Sequence, residues 1–489
     1  MTDAQFIAWY RSPQAVPCVL VEMEASIEGM DSQFYLSNLG YTTEATDTPP
    51  NFTYQSVISG GGTTTERLSL DGSATMAFGD IEVLNLNGEL DKLLSSNYVW
   101  RNRPIAVYVG DKFWPREDFR LVFSGLIDDI GSSDREHLNF KIRDKSQRLN
   151  TAVSDVKLGG LTNNSERLLP VCLGEAHNVE PLLIDPALLK YQVHTGAVER
   201  IIEVRDLGVP VATTDTLGAG TFVLNQQPAG QITASVQGDK PSAYSNTVSK
   251  LVQRLATGYG TDPFDSGDLD AVNLAAFDSA NPQPVGLNLS DRANVLACCQ
   301  ELASSVGAQM VVSALGLLRL LKIDLPAAGT STAVTAANMK ADTLEIADRI
   351  PVKAAVKLAY CRNYTMQANL QTGIPAEHKD LFLQEWLTVT ATDSGVASDY
   401  RITEAPTQEE TCLLVTSDAQ AEADRRLALW STPRTIYRYQ GFPELLLQEL
   451  GGAQTITHAR FGMTGGVTGQ IVGLTKDWLA GSVTVEVLV

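Results

Sequence analysis

Five histidines, six cysteines and one dense acidic group are where chemistry would be sought in this sequence. His137, His177, His194, His378 and His458 include no pair at the i, i+4 spacing that sets two imidazoles on one helix face for zinc. Cys18, Cys172, Cys298, Cys299, Cys361 and Cys412 contain no C-x-x-C, and adjacent Cys298 and Cys299 on a predicted helix point apart, so buried reduced thiols are expected. Asp262, Asp265, Asp268 and Asp270 offer oxygens that calcium favours, but no Glu closes a twelve-residue loop, and an acidic cap of the helix after Ser266 accounts for them equally well. Gly218-Ala219-Gly220 starts like a phosphate loop but has Val223 where a third glycine belongs. Phe123-Ser124-Gly125 lacks the first glycine of a nucleophile elbow. Asp128-Asp129 would face opposite ways on a strand, which does not make a carboxylate pair. The expectation is no catalytic residues, no cofactor-binding residues, no metal ligands, no cofactor, and a chain that is not an enzyme.

The elements that would position such groups follow from length and pattern. A chain of 489 residues fits about three domains of roughly 150 residues. Its charged fraction, 19%, lies below the ~25% usual in soluble domains, which suits a β-rich chain whose surfaces pack on other subunits. The formal charge of -20 has no Lys/Arg cluster to displace counterions from a duplex, so it argues against specific nucleic-acid binding. Met1 to Arg11 has no basic start or cleavage pattern, and no apolar run reaches the ~20 residues of a membrane helix. A cytoplasmic site of synthesis and no membrane insertion are expected.

Three regions are expected. Residues 1–150 read as short strands with turns, ending in a hairpin around Gly131-Ser132-Ser133-Asp134, whose second arm alternates Leu138, Phe140 and Ile142 with polar residues. Residues 151–326 read as α+β. An extended connector, Leu161 to Tyr191, is followed by a helix with the stripe Val248, Leu251, Val252 and Leu255. A second helix is capped by Ser290, and a hairpin turns at Ala314-Leu315-Gly316. Residues 327–489 read as strands, among them Thr455 to Phe461, Gln470 to Leu474 and Val483 to Leu488. They carry one helix, Ala419 to Trp430, with Ser417 and Gln420 as a capping box and Leu427 and Trp430 packing on the C-terminal strands. Trp100, Trp114, Trp430 and Trp478 read as core. The fold class expected is α+β and β-rich, with two small β-barrel domains flanking an α+β middle region.

Two sets of segments resemble the baseplate hub (tail tip hub) proteins of long-tailed bacteriophages and gene transfer agents. The first is Phe34-Tyr35-Leu36-Ser37, Gly40-Tyr41-Thr42-Thr43, Ile58-Ser59-Gly60-Gly61, Asn85-Leu86-Asn87-Gly88-Glu89-Leu90-Asp91, Phe123-Ser124-Gly125-Leu126-Ile127 and Ile142-Arg143-Asp144. The second is Ala421-Glu422-Ala423-Asp424-Arg425-Arg426-Leu427, Ile471-Val472-Gly473-Leu474 and Asp477-Trp478-Leu479-Ala480-Gly481. Asn178-Val179-Glu180-Pro181 to Asp185-Pro186 is similar to the same family. The resemblance implies a structural homotrimer with two related barrels per subunit. These form a pseudo-sixfold ring that joins a sixfold tail tube to a threefold tip and lets DNA pass. It implies a virion location in the tail baseplate after assembly in the host cytoplasm. The implied partners are a distal tail protein, other tail tip or fibre proteins and a tape measure protein. Some hubs of this kind carry an iron–sulfur cluster on four clustered cysteines, and the scattered cysteines here do not provide that cluster. Two other readings remain at this point. A receptor- or glycan-binding tip protein would present aromatic patches, and a carbohydrate-active enzyme would need two carboxylates roughly 5 to 9.5 Å apart in a cleft.

Overall fold

The computed structural model describes residues 1–70, 78–132, 134–325 and 329–489. The chain clusters into two compact units, each discontinuous in sequence: Met1–Arg148 with Val311–Pro351 and Pro433–Val489, and Leu149–Met310 with Val352–Thr432. The boundary expected at 326/327, and Ser133 of the predicted turn, lie outside the described residues. Residues 352–432 belong to the second unit, although in sequence they fall within the C-terminal region.

The strands of the first unit used below are β1 (Pro17–Ile27), β2 (Met30–Ser37), β3 (Ile58–Arg67), β4 (Phe78–Leu84), β5 (Pro104–Asp111), β6 (Arg120–Ser132), β7 (His137–Arg143), β8 (Thr332–Thr335), β9 (Glu345–Ile350), β10 (Arg434–Gly441), β11 (Ala453–Thr457), β12 (Val467–Asp477) and β13 (Ser482–Leu488). Alternation builds them. In β7, Leu138, Phe140 and Ile142 are buried while Lys141 is exposed, and in β13 Val483, Val485 and Val487 face the same core. That core is continuous from Phe6 through Trp100 and Phe140 to Tyr439 and Trp478. The Tyr439 hydroxyl keeps a partner inside it by donating to Gln454 Oε1 at 2.6 Å. Trp114 and Trp430 are only half-buried.

The hydrogen-bonded path runs β9-β10-β13-β12-β3-β4-β7-β6-β5-β1-β2 and continues into two short strands, while β11 pairs β12 and β8 pairs β11. The path does not close among the described residues. The α+β, β-rich class holds, but two separately closed barrels are not seen. The physical reason is that β12 lends part of one edge to β3 through the register Gly473↔Arg67 to Asp477↔Thr63, which joins both strand sets into one sheet.

Two five-strand sets within that sheet share one topology. In chain order β3, β4, β5, β6, β7, the first is arranged β3-β4-β7-β6-β5. In chain order β9, β10, β11, β12, β13, the second is arranged β9-β10-β13-β12-β11. Every pairing in both is antiparallel. The match extends to single residues. In β6 the ladder to β7 carries one extra residue, Asp128, between Ile127 and Asp129; in β12 the ladder to β13 carries one extra residue, Val472, between Ile471 and Gly473. Ile127 exchanges backbone hydrogen bonds with the two residues that precede β5, Asn102 N–H to Ile127 O at 2.8 Å and Ile127 N–H to Arg103 O at 2.9 Å. Ile471 does the same with the two residues that precede β11, Gly451 N–H to Ile471 O and Ile471 N–H to Gly452 O, both 2.8 Å. The sets diverge at a sixth strand: β1 runs antiparallel to β5, and β8 runs parallel to β11.

The second unit carries a five-stranded sheet, a four-stranded sheet and a three-stranded sheet among its described residues. The expected connector from Leu161 to Tyr191 is instead largely strand, Val171–Val179, Leu182–Asp185 and Lys190–Gln192. Pro170, Pro181 and Pro186 stand at the ends of these strands, where a missing N–H costs no ladder bond, so they mark boundaries and do not break the pattern. The helix Val248–Gly258 buries Val248, Leu251, Val252 and Leu255 as expected. The helix Val295–Ser304 is capped by Asn294, whose side chain accepts from Ala297 N–H at 3.1 Å, and not by Ser290. The helix Thr416–Trp430 begins after Val415 with no side-chain cap, so the Ser417 capping box does not form. This helix packs on the sheet strands Ala355–Tyr360 and Leu387–Thr392, burying Ala419, Glu422, Ala423 and Leu429, whereas Leu427 and Trp430 are only half-buried. Two alanines four residues apart let the helix approach the sheet closely, and this decides the packing face. Helices Ala376–Leu383 and Ser394–Tyr400 also lie in this stretch, where one helix was expected.

Phe140 has no exposed surface and meets the Trp100 ring edge-on at 5.0 Å. Phe140→Ala is expected to cost about 3–5 kcal/mol in urea unfolding. A loss below about 1 kcal/mol would mean that β7 does not anchor this core.

Candidate functional site, open strand edges in the first unit

The residues singled out for chemistry are occupied structurally. His194 is buried, its Nδ1 accepts the Cys172 N–H at 3.1 Å, and its Nε2 lies 3.2 Å from Asp239 Oδ1. His137 sits 2.9 Å from Asp134, and His458 Nδ1 accepts from Arg460 N–H. Asp265 caps a short turn by accepting from Gly267 N–H at 2.7 Å, and Asp270 caps the helix Ala271–Ala280 by accepting from Asn273 N–H at 3.0 Å. Asp265 and Asp270 are thus two caps in series. Gly218-Ala219-Gly220 is a tight turn whose last residue has φ +61°, and a Cβ there would lie 2.5 Å from the carbonyls of His194 and Gly196. Asp128 pairs with Arg143 at 3.0 Å.

Burial leaves the thiols protonated. It pushes Cys18, Cys172 and Cys298 up to about 12 and also raises Cys299, Cys361 and Cys412. Among the described residues no group of three His, Cys, Asp or Glu side chains is placed to hold a metal ion. No helix of the described residues is long and apolar enough to cross a membrane.

A cavity of about 220 Å³ in the second unit is lined by His177, Arg205, Cys361, Arg362, His378 and Trp386, among others. Its charges are locally committed. His177 lies 3.1 Å from Glu175, and that hydrogen bond holds the Glu175 carboxyl below its ordinary value. Arg362 donates to Glu385 at 2.9 Å and lies over the rings of Tyr364 and Trp386.

The first unit offers a different kind of site, made of backbone. β6 is covered by β5 from Arg120 to Leu126 and by Asn102 and Arg103 at Ile127. Beyond that point its edge away from β7 meets no strand among the described residues. Asp129 and Ser132 are exposed and Ile130 half-buried, while the matching residues of β12, Gly473, Leu474 and Lys476, are all buried against β3. Among the described residues β9 pairs only with β10, so its outer edge meets no described strand. Both edges carry charge, Asp128 and Asp129 on one and Glu345, Asp348 and Arg349 on the other, the usual guard on an unpaired strand. Sequence reasoning missed these edges. The only available signals were the short, charge-interrupted pattern of β9 and the Asp128-Asp129 break in the alternation of β6.

No family model matches this chain, and no curated protein matches it. The solved structures it is similar to include bacterial and prophage tail proteins. It is similar to the tail protein from Neisseria meningitidis MC58 at 9% identity and TM-score 0.43, covering 97% of each chain. It is similar to the 43 kDa tail protein of prophage MuSo2 from Shewanella oneidensis at 10% identity and TM-score 0.41, covering 96% of this chain and 98% of that one. It is also similar to a chain from the virion of the native gene transfer agent particle at 14% identity and TM-score 0.40, covering 69% of this chain and 87% of that one.

Asp239 gives the second unit an acid-labile anchor. Burial raises its carboxyl, but hydrogen bonds from His194 and Arg254 outweigh burial and leave it below the ordinary value. The stability this anchor contributes is therefore full above the unfolded-state carboxylate pKa and lost as pH falls through the lower folded value. Asp239→Asn is expected to cost roughly 3–5 kcal/mol at pH 7 by removing one partner of a buried pair, and less at pH 3. Denaturation at both pH values checks this; an equal cost at both would show that ionisation of Asp239 contributes nothing.

Proposed function

We propose that this chain is a structural component of a phage tail, the baseplate hub at the tail tip, and that its work is assembly and not catalysis. The observation that carries the reading is the internal repeat: β3 to β7 and β9 to β13 have one strand order, one antiparallel pattern and a matching extra residue beside a matching isoleucine. A trimer of such chains offers six similar modules, which is what a threefold part needs to seat evenly on a sixfold tube. Under this reading the modules act as the two hub barrels, closed by neighbouring chains and not by each chain alone. The domains are then residues 1–150 and 327–489 as the two hub modules with residues 151–326 between them, and the stretch within 352–432 is an insertion in the second module. The partners are a distal tail protein, a tape measure protein and tip or fibre proteins, in a virion tail put together in the host cytoplasm. The charge of -20 without a basic cluster supports DNA passing through such a ring without docking.

Native mass spectrometry of the purified chain is expected to give three copies, and two-dimensional class averages a threefold ring. A strictly monomeric chain at the micromolar concentrations where specific interfaces normally hold would overturn the hub reading. Duplex DNA of thirty base pairs is expected to show no retention at ~150 mM salt. Submicromolar binding to the duplex would reverse the argument from charge.

A further inference from the structure

The junction between the two modules inside one chain also serves as a template for the junction between chains. β12 of the second module pairs, beyond its extra residue, with β3 of the first, Gly473↔Arg67, Leu474↔Glu66, Thr475↔Thr65 and Lys476↔Thr64. The pairing is reinforced by the Thr65 and Thr475 hydroxyls at 3.1 Å and by Arg67 with Glu486 at 3.2 Å. By the repeat, the partner of β12 in the first module is β6, and the partner of β3 in the second module is β9. These are the two strands whose corresponding edges stand open.

We propose that the outer edge of β9 in one copy of this chain pairs antiparallel with the open end of β6 in the next copy, reproducing the β12–β3 junction. The inference rests on the trimeric reading above and adds the contact and its register. The ladders fix that register. Ile127 matches Ile471, so Asp129, Ile130 and Gly131 match Gly473, Leu474 and Thr475. On the other side Thr64 and Ile346 occupy equivalent places opposite Gly79 and Tyr437, and Thr65 and Asp348 opposite Phe78 and Ile436, which makes Arg349 the match of Glu66 and Ile350 of Arg67. The contact is therefore Asp129↔Ile350, Ile130↔Arg349 and Gly131↔Asp348.

The side chains fit that register. Asp348 falls opposite a glycine that leaves it room. Arg349, opposite Ile130, shares a face with Asp128, where opposite charges on neighbouring strands attract. Ile130, half-buried in the isolated chain, takes the place of Leu474, which is 2% exposed at the internal junction. Edge pairing of this kind draws its affinity from main-chain hydrogen bonds and its specificity from such pairs. It is heterologous, so each chain presents one donor edge and one acceptor edge and the contact runs head to tail.

Two measurements test the proposal on the full chain. In the first, hydrogen exchange is followed by mass spectrometry on the unmodified protein at concentrations that favour trimer or monomer. Amides of Asp129–Ser132 and Glu345–Ile350 are expected to slow at least ~tenfold in the trimer. In the second, Gly131→Cys and Asp348→Cys are combined in one chain and oxidised. Disulfide-linked oligomers are expected on a denaturing gel, with none from either single variant. A trimer that shows neither protection nor linkage overturns the β9–β6 contact and leaves the hub reading standing. A chain that never trimerises overturns both. Linkage of Gly131→Cys with Glu345→Cys in place of Asp348→Cys overturns the register.

Discussion

A strand has two edges, and each amide and carbonyl along them needs a partner. That requirement is most demanding at β12. One edge of this strand is filled by β13 from Gln470 to Asp477; the other is divided, with β11 covering Val467 to Gln470, a turn covering Ile471, and β3 covering Gly473 to Asp477. Without the division β12 would end one small sheet. With it, the strand holds two sets of strands in a single sheet over a single core. Val334, Tyr439 and Trp478 from one end of the sequence share that core with Val21, Trp100 and Phe140 from the other.

The extra residue beside the pivot isoleucine makes the division possible. A bulge bends its strand and increases the local twist, so the edge beyond it leaves the plane of the strand it had been following. After Val472 the edge of β12 is turned away from β11 and available to β3. The same device occurs at Asp128 in β6, where no strand among the described residues takes up the edge. One local geometry thus has two outcomes, covered in one module and uncovered in the other. The difference lies in the rest of the chain, since β3 is within reach of β12 and no described strand is within reach of β6.

Much of the element pattern was legible in the sequence. Alternation placed β7 and β13, and the stripe Val248, Leu251, Val252 and Leu255 placed its helix. The resemblance drawn from short motifs pointed to two related regions. Their equivalence was not legible from residue identities, because matched positions differ chemically: Lys141 with Glu486, Gly131 with Thr475, Asp129 with Gly473. What persists is which face is buried and where the ladder slips, and neither leaves a residue signature. The prolines near residues 170–186 misled for a related reason. A proline is excluded from a central ladder and tolerated at a strand's first or last residue, so three of them can mark strand ends as readily as a connector. The helix Thr416–Trp430 shows a further limit. Its larger apolar residues suggested the packing face, but the closest approach to the sheet was decided by Ala419 and Ala423 and by Glu422 held between Arg425 and Arg426.

The two modules are alike in five strands and unlike in the sixth, and the unlikeness has a consequence of its own. If they matched throughout, any module edge could pair with any other, and chains could join in several registers or extend without limit, the standing hazard of an open strand edge. β1 lies antiparallel to β5 and continues into the hairpin with β2, so the first module carries an extension on that side; β8 lies parallel to β11 and makes no such hairpin among the described residues. The open edges also differ in charge pattern, with only the carboxylates Asp128 and Asp129 on β6 and a mixed set, Glu345, Asp348 and Arg349, on β9. Two copies of the β6 edge brought together would oppose carboxylates, whereas the proposed β6–β9 contact sets Arg349 on the face of Asp128. Similarity in five strands makes the modules interchangeable as geometry, and dissimilarity in the sixth strand and in edge charge keeps them from being interchangeable as partners.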